Sequence, residues 1–344
     1  MRFKLFGSIF IFLVIRSLSY TLELSSETIQ NLDENLQNRR SLLTNRIRNR
    51  AEKEMLRKEV NTLVEKIIKD VEKTWKQLNR RETFSRDTNE REILLMGDSL
   101  LGLPSVQFQL GERLKKYLTD KHRNFKISVN MQTSPGARAA SMRDKLLKKL
   151  NDRRDAKHPP PEAIIIYWDS DLVDIDDPSN PKVKELYIRN LIGLLKIAQS
   201  EITYVAVAGP SFSKNRGELP EEWIKEDTYE AYVMIHQAVA RLLRVEHINT
   251  RRKFQDYILN KKKQGLAPKE LEKVHNWDEF DKVEGGIITF DGQHTHESGT
   301  QLLVQIFGEA LDKQQFLWID TKLKQAVQKL IERSNQDLAS ALVN

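Results

Sequence analysis

Residues 93–100 read Ile-Leu-Leu-Met-Gly-Asp-Ser-Leu, and this stretch decides the fold. Four apolar residues in a row make a buried strand, and Gly97-Asp98-Ser99 breaks it into a tight turn. A serine on a glycine-supported turn between strand and helix is held exposed, its backbone N–H pointing toward the helix start. A nucleophile that also supplies an oxyanion donor needs that placement. Taken alone, Gly97-Asp98-Ser99-Leu100 is a weak signal, since a serine after a strand is most often just a helix cap.

Moving toward the C-terminus, the strand pattern recurs. Apolar, β-rich runs at Phe125–Asn130, Ala163–Trp168, Ile202–Ala208 and Ile287–Phe290 predict four more strands. Between and after them, amphipathic spacing predicts helices near Gly111–Leu118, Ala139–Leu150, Val183–Ala198, Glu221–Val245 and Gln301–Leu311. Strand–helix alternation repeated five times implies an α/β domain over 89–318, with helices on both faces of a five-stranded parallel sheet. Residues 251–282 are charged and read as an inserted helical lobe, and 319–344 as a C-terminal helix. Active sites of such sheets lie beyond the carboxyl ends of the strands. There the fifth predicted strand runs into Asp291-Gly292-Gln293-His294, with Gly299 behind it. Ser99, Asp291 and His294 can then meet as nucleophile, orienting acid and general base.

The two blocks, Gly97-Asp98-Ser99-Leu100 and Asp291-Gly292-Gln293-His294, resemble those of the SGNH (GDSL-type) hydrolases, over roughly residues 91–315. The resemblance implies a flavodoxin-like α/β/α sandwich and ester hydrolysis through Ser99, His294 and Asp291, with no cofactor or metal. It also implies an oxyanion hole built from the Ser99 N–H, a glycine after strand two and an asparagine after strand three. Thr133-Ser134-Pro135-Gly136 offers Gly136 for the glycine. The third block departs: where the family has Gly-x-Asn-Asp, this chain reads Trp168-Asp169-Ser170-Asp171, so Ser170 stands in place of the amide donor. A hydroxyl donates one hydrogen bond from a shorter reach than an amide. Two readings follow: a working esterase with a modified hole, or an SGNH fold kept for binding or assembly. Lipid, glycan O-acyl and small esters all remain open as substrates.

N-terminal to the domain, residues 24–78 contain neither proline nor glycine. Ile29, Leu32, Leu36, Leu43 and Ile47, then Leu56, Val60, Leu63, Ile67, Val71 and Trp75, recur at helical spacing. The predicted helical arm (20–88) is either a coiled coil through which copies of the chain associate or a helix laid across the domain. Arg2 and Lys4, an apolar run from Leu5 to Ile15, and Ser17-Leu18-Ser19 predict a secretory signal peptide or signal anchor over 1–19, hence a secreted or membrane-anchored protein. The eleven residues of this run fall short of the ~20 residues of a membrane span.

Composition sets the outer bounds. The 344 residues include no cysteine, which removes disulfide scaffolds, thiolate metal sites and cysteine nucleophiles. Lys and Arg number 56 against 49 acids, so the chain is highly charged more than basic, and no nucleic-acid partner is expected. Asp291, His294 and His296 have metal-ligand chemistry, and Asp169, Asp171, Asp174, Asp176 and Asp177 form an acidic string. The string lacks the glycine and terminal glutamate of a calcium loop. No phosphate-binding glycine motif occurs.

Overall fold

The computed structural model describes residues 50–71, 89–168, 180–209, 226–264, 295 and 297–319. A helix, α1, spans 50–71. The domain then runs β1 (Glu90–Gly97), α2 (Ser99–Phe108), α3 (Leu110–Lys121), β2 (Lys126–Thr133), α4 (Ala139–Asp155), β3 (Ala163–Tyr167), α5 (Pro181–Glu201) and β4 (Tyr204–Ala208). It continues through α6 (Glu226–Leu243), β5 (Glu246–Ile248), α7 (Thr250–Lys263), α8 (Glu297–Asp312) and a 3-10 turn at Gln315–Trp318.

Among the described residues the sheet is five-stranded, in the order β2-β1-β3-β4-β5, with every neighbouring pair parallel. The α/β sandwich expected from the sequence is therefore the observed fold. β3 and β4 read Ala-Ile-Ile-Ile-Tyr and Tyr-Val-Ala-Val-Ala and are buried at every position, as strands covered on both faces must be. From β1 the chain steps one way to β2, then the other way through β3, β4 and β5. Right-handed crossovers therefore send α2 and α3 to one face and α4, α5 and α6 to the other. Ile93, Leu95, Ile165 and Tyr167 share a core with Leu100 and Leu101 of α2, Leu114 of α3, Phe254 of α7 and Leu303 and Phe307 of α8. Strand alternation turns Leu94, Met96, Ile164 and Ile166 to the opposite face, where they too are buried.

The fifth strand of this sheet differs from the one expected. It is Glu246–Ile248, paired with β4 through Ala206↔Glu246 to Ala208↔Ile248; Ile287–Phe290 lies outside the described residues. The sequence signal for β5 is poor because it has three residues, two of them polar. Both polar side chains find partners: Glu246 accepts from the Tyr204 hydroxyl (2.8 Å) and from Gln314 Nε2 (2.7 Å), and His247 Nε2 donates to the Gly209 carbonyl (3.3 Å). Burial and the Glu246 carboxylate raise the Tyr204 pKa, so its hydroxyl stays protonated to donate. After β5 the expected charged helical lobe opens with the helix α7; residues 265–282 of the lobe, and the predicted C-terminal helix beyond 319, are outside the described set.

The chain divides into residues 1–58 and 59–344. In the first unit, 50–58 is an exposed helical segment. In the second, residues 59–71 bury Val60, Val64, Ile67, Ile68 and Val71, a stripe at i, i+4, i+7, i+8 and i+11. Arg241 of α6 donates to Asn61 (2.9 Å), and Arg189 of α5 pairs with Asp70 (3.6 Å), so this stretch lies on the outer side of α5 and α6. Of the two arrangements open from the sequence, 60–71 adopts the helix laid on the domain. Residues 20–49 and 72–88 of the arm lie outside the described set, as do 1–19.

Candidate active site

The strand order reverses between β1 and β3, and ligands of open α/β sheets bind beyond the carboxyl ends of the strands at such a switch point. Gly97 closes β1 there, opposite Tyr167. A Cβ on Gly97 would stand 2.0 Å from the Tyr167 carbonyl oxygen and 2.9 Å from Leu101 Cδ1. The close approach of the two strands admits only glycine. Gly97→Ala is expected to force β1 and β3 apart, at a cost of about 1–3 kcal/mol or more, typical of an overpacked core. Thermal denaturation checks this: an unchanged Tm would mean that the strands tolerate the methyl group.

Asp98 is fully buried, and its carboxylate caps α2 by accepting from Leu100 N (2.9 Å), while its carbonyl accepts from Gly102 N (3.0 Å). Ser99 is thereby fixed as the first residue of α2, partly exposed beside the switch point. The turn after β2 is tied to the same place, since Ser134 N donates to the Gly97 carbonyl (3.1 Å). Within that turn Ala137 N returns to the Ser134 carbonyl (3.0 Å), and Gly136 takes a left-handed φ of 65° with no atom near the position of a Cβ. Proline then glycine at its central positions is the chemistry of a type II turn. Turn geometry thus accounts for Gly136 by itself.

Trp168 stands where the family resemblance calls for glycine. Its side chain is fully buried on the face opposite Tyr167, whose ring packs edge-on to Phe307 at 5.8 Å. The indole lies 5.3 Å from the His236 imidazole on α6 and 6.3 Å from the Tyr187 ring on α5. Tyr187 Oη and His236 Nε2 share a hydrogen bond, and Tyr187 packs edge-on to Tyr232 at 4.9 Å. His247 stands edge-on to His236 at 6.2 Å. Burial, reinforced by neighbouring His247, pushes the His236 pKa well below the usual histidine value, and burial lowers His247 to about 4. Both rings are neutral at pH 7. Sequence reading did not single out Tyr187, His236 or His247; they sit 49 and 60 residues apart along the chain from first to second and first to third, and no local spacing connects them.

Asp291, His294 and Ser170 lie outside the described residues, so of the five candidate site residues the structure places Ser99 and Gly136. Thr295, next to His294, is described: it is buried in a single-residue β-bridge, its hydroxyl 3.3 Å from that of Thr300. The start of α8 is held to α3 by an ion pair between Arg113 and Glu297 (2.8 Å). Among the described residues, no group of three His, Asp or Glu could hold a metal ion, and no helix is long and apolar enough to cross a membrane. The acidic string and the Asp291, His294 and His296 set fall outside them.

No family model matches the chain, and no curated protein sequence matches it. Solved structures do. A lipase/acylhydrolase from Enterococcus faecalis aligns over 64% of this chain and 95% of its own, at 17% identity and a TM-score of 0.45. An acetyl xylan esterase aligns over 64% and 98%, at 12% identity and a TM-score of 0.48. An acetylxylan esterase from Geobacillus stearothermophilus aligns over 63% and 92%, at 11% identity and a TM-score of 0.43. The chain's own strand order, with Gly97-Asp98-Ser99-Leu100 at the switch point, is what resembles an SGNH hydrolase.

Proposed function

We propose that this chain is a serine ester hydrolase. The observation that carries the reading is the position of Ser99: first residue of α2, at the carboxyl end of β1, beside the switch point of a parallel sheet. The N–H at that helix position is one that intrahelical bonding does not use, so it suits an oxyanion donor. In this reading His294 takes the Ser99 proton as the serine oxygen attacks the ester carbonyl. Asp291 orients the imidazole. The tetrahedral oxyanion is held by the Ser99 and Gly136 N–H groups and by the Ser170 hydroxyl. Collapse expels the alcohol, which receives its proton from His294. A water then loses a proton to His294, adds to the acyl-enzyme, and releases the carboxylic acid with Ser99 restored. Residues 1–19, as a secretory signal, would send this enzyme into the secretory pathway.

A fluorophosphonate tests the assignment without knowledge of the substrate, because it traps only a serine activated by its base and oxyanion donors. The expected result is one phosphonyl group per chain, on the peptide bearing Ser99. An intact protein mass unchanged after long incubation, or a label on another serine, would exclude Ser99 as the nucleophile.

A further inference from the structure

The ten residues of α2, Ser-Leu-Leu-Gly-Leu-Pro-Ser-Val-Gln-Phe, carry no charge, in a chain of which 31% is Asp, Glu, Lys or Arg. The next helix shows what is ordinary on this side of the sheet: α3 buries Leu110, Leu114 and Leu118 and turns Glu112, Lys115 and Lys116 to water. α2 buries Leu100, Leu101 and Pro104, yet its outer side is apolar as well. Leu103 is half-buried there, and Val106 is 83% exposed. A single exposed valine means nothing by itself. Its register does. Leu103 and Val106 stand four and seven residues after Ser99, on the face of the helix that Ser99 occupies, and Gly102 between them adds no side chain. Helical side chains lean toward the N-terminus, so both lean toward Ser99. The strip stops at exposed Gln107 and at Gln109, whose left-handed φ of 54° ends the helix.

We propose that Leu103 and Val106 form a track for the acyl chain of the substrate, and that the ester cleaved is one of a medium-chain fatty acid. The inference rests on the esterase reading, whose covalent step selects the occupant. In the acyl-enzyme the acyl group is bound to Ser99 Oγ, so its chain begins at the head of the strip. Ser99 apart, the strip offers no polar side chain, hence nothing that would hold a sugar hydroxyl and a continuous surface for methylenes. The helical rise puts Val106 about 10 Å beyond Ser99. An extended acyl chain with bonds of about 1.5 Å advances about 1.3 Å per carbon, so about eight carbons reach Val106. An acetyl group stops short of Leu103. A methylene taken wholly out of water favours binding about fourfold, and one lying on an open strip, wet on its other side, about twofold.

The test uses the full chain and p-nitrophenyl esters from acetate to dodecanoate, each kept below the concentration at which it aggregates, with fluorophosphonate labelling in parallel. For the wild type, kcat/KM should climb about twofold per methylene, hence about 30- to 100-fold from acetate to octanoate, and level off by decanoate where the strip ends. Val106→Asp places a charge at the far end of the track. The octanoate-to-acetate ratio should fall about 4- to 8-fold, the worth of the last two or three methylenes, while the Tm moves by no more than about 2 °C because the side chain is exposed. Val106→Leu enlarges the apolar surface and should keep or raise the ratio. An unchanged ratio in Val106→Asp overturns the inference, as does a gain with chain length that appears only once the ester aggregates, which would make the strip a contact for a lipid surface. If the wild type neither cleaves any ester nor accepts the phosphonate, the esterase reading falls and the inference with it. Labelling of Ser99 with a series that is flat, falls with chain length, or contains no ester the protein cleaves overturns the inference alone.

Discussion

Ser99→Ala should reduce kcat on a short-chain aryl ester by at least about 10⁴-fold, and His294→Ala should do the same. The double variant should be little worse than either, because nucleophile and base act as one unit and removing one already removes the pathway. Local structure makes Ser99→Ala a clean test. The residue that caps α2 is Asp98, whose carboxylate accepts from Leu100 N, so a helix-favouring alanine at position 99 leaves the cap intact. The Tm should therefore match the wild type while turnover disappears. KM is uninformative here, since the chemical step is what is lost. A Ser99→Ala protein that keeps a tenth of wild-type turnover would place the nucleophile elsewhere. Independent, multiplicative losses from the two substitutions would separate His294 from the serine.

The parts of the fold legible in the sequence are those whose residues bury on both sides. β3 and β4 are continuous apolar runs because helices cover both faces, and their bounds come within one or two residues of expectation. β5 was not legible, since Glu246 and His247 are polar and become acceptable in a strand only through Tyr204, Gln314 and Gly209, distant partners that no local pattern reveals. The break between α2 and α3 is a similar case: Gln109, at a left-handed φ of 54°, ends one helix and starts the next without a glycine to mark it. For the site, the Gly97-Asp98-Ser99 turn was legible because glycine and a capping aspartate are local requirements. For Trp168 the sequence showed only that a tryptophan stands where the family has glycine. The structure turns its ring inward against α5 and α6, and only the tertiary packing of Tyr187 and His236 could have shown that. Asp291, His294 and Ser170 rest on the sequence resemblance, being outside the described residues.

Deleting the whole arm should cost the fold, not merely an oligomer. A chain beginning at Asn89 loses Val60, Val64, Ile67, Ile68 and Val71, five side chains buried within the 59–344 unit. Burying each stabilises by about 1.5–3 kcal/mol before the entropy of ordering the helix is charged, so together they rival the about 5–15 kcal/mol by which a domain is stable. The apolar strip uncovered on α5 and α6 would then drive aggregation. A chain beginning at Glu59 keeps those five side chains, with Asn61 and Asp70 still available to Arg241 and Arg189. It should remain soluble, with a Tm close to that of the longer chain. The pair of truncations also separates the two roles proposed for the arm. If copies associate through the first half of the stripe, Ile29 to Ile47, sedimentation should show the chain beginning at Glu59 folded and monomeric while the longer chain is an oligomer. If the longer chain is already a monomer, association through the arm is excluded and the stripe from Val60 onward is domain core alone. A soluble, cooperatively melting chain beginning at Asn89 would refute the packing of residues 59–71 within their unit, because five buried side chains cannot be removed from a real interface without loss.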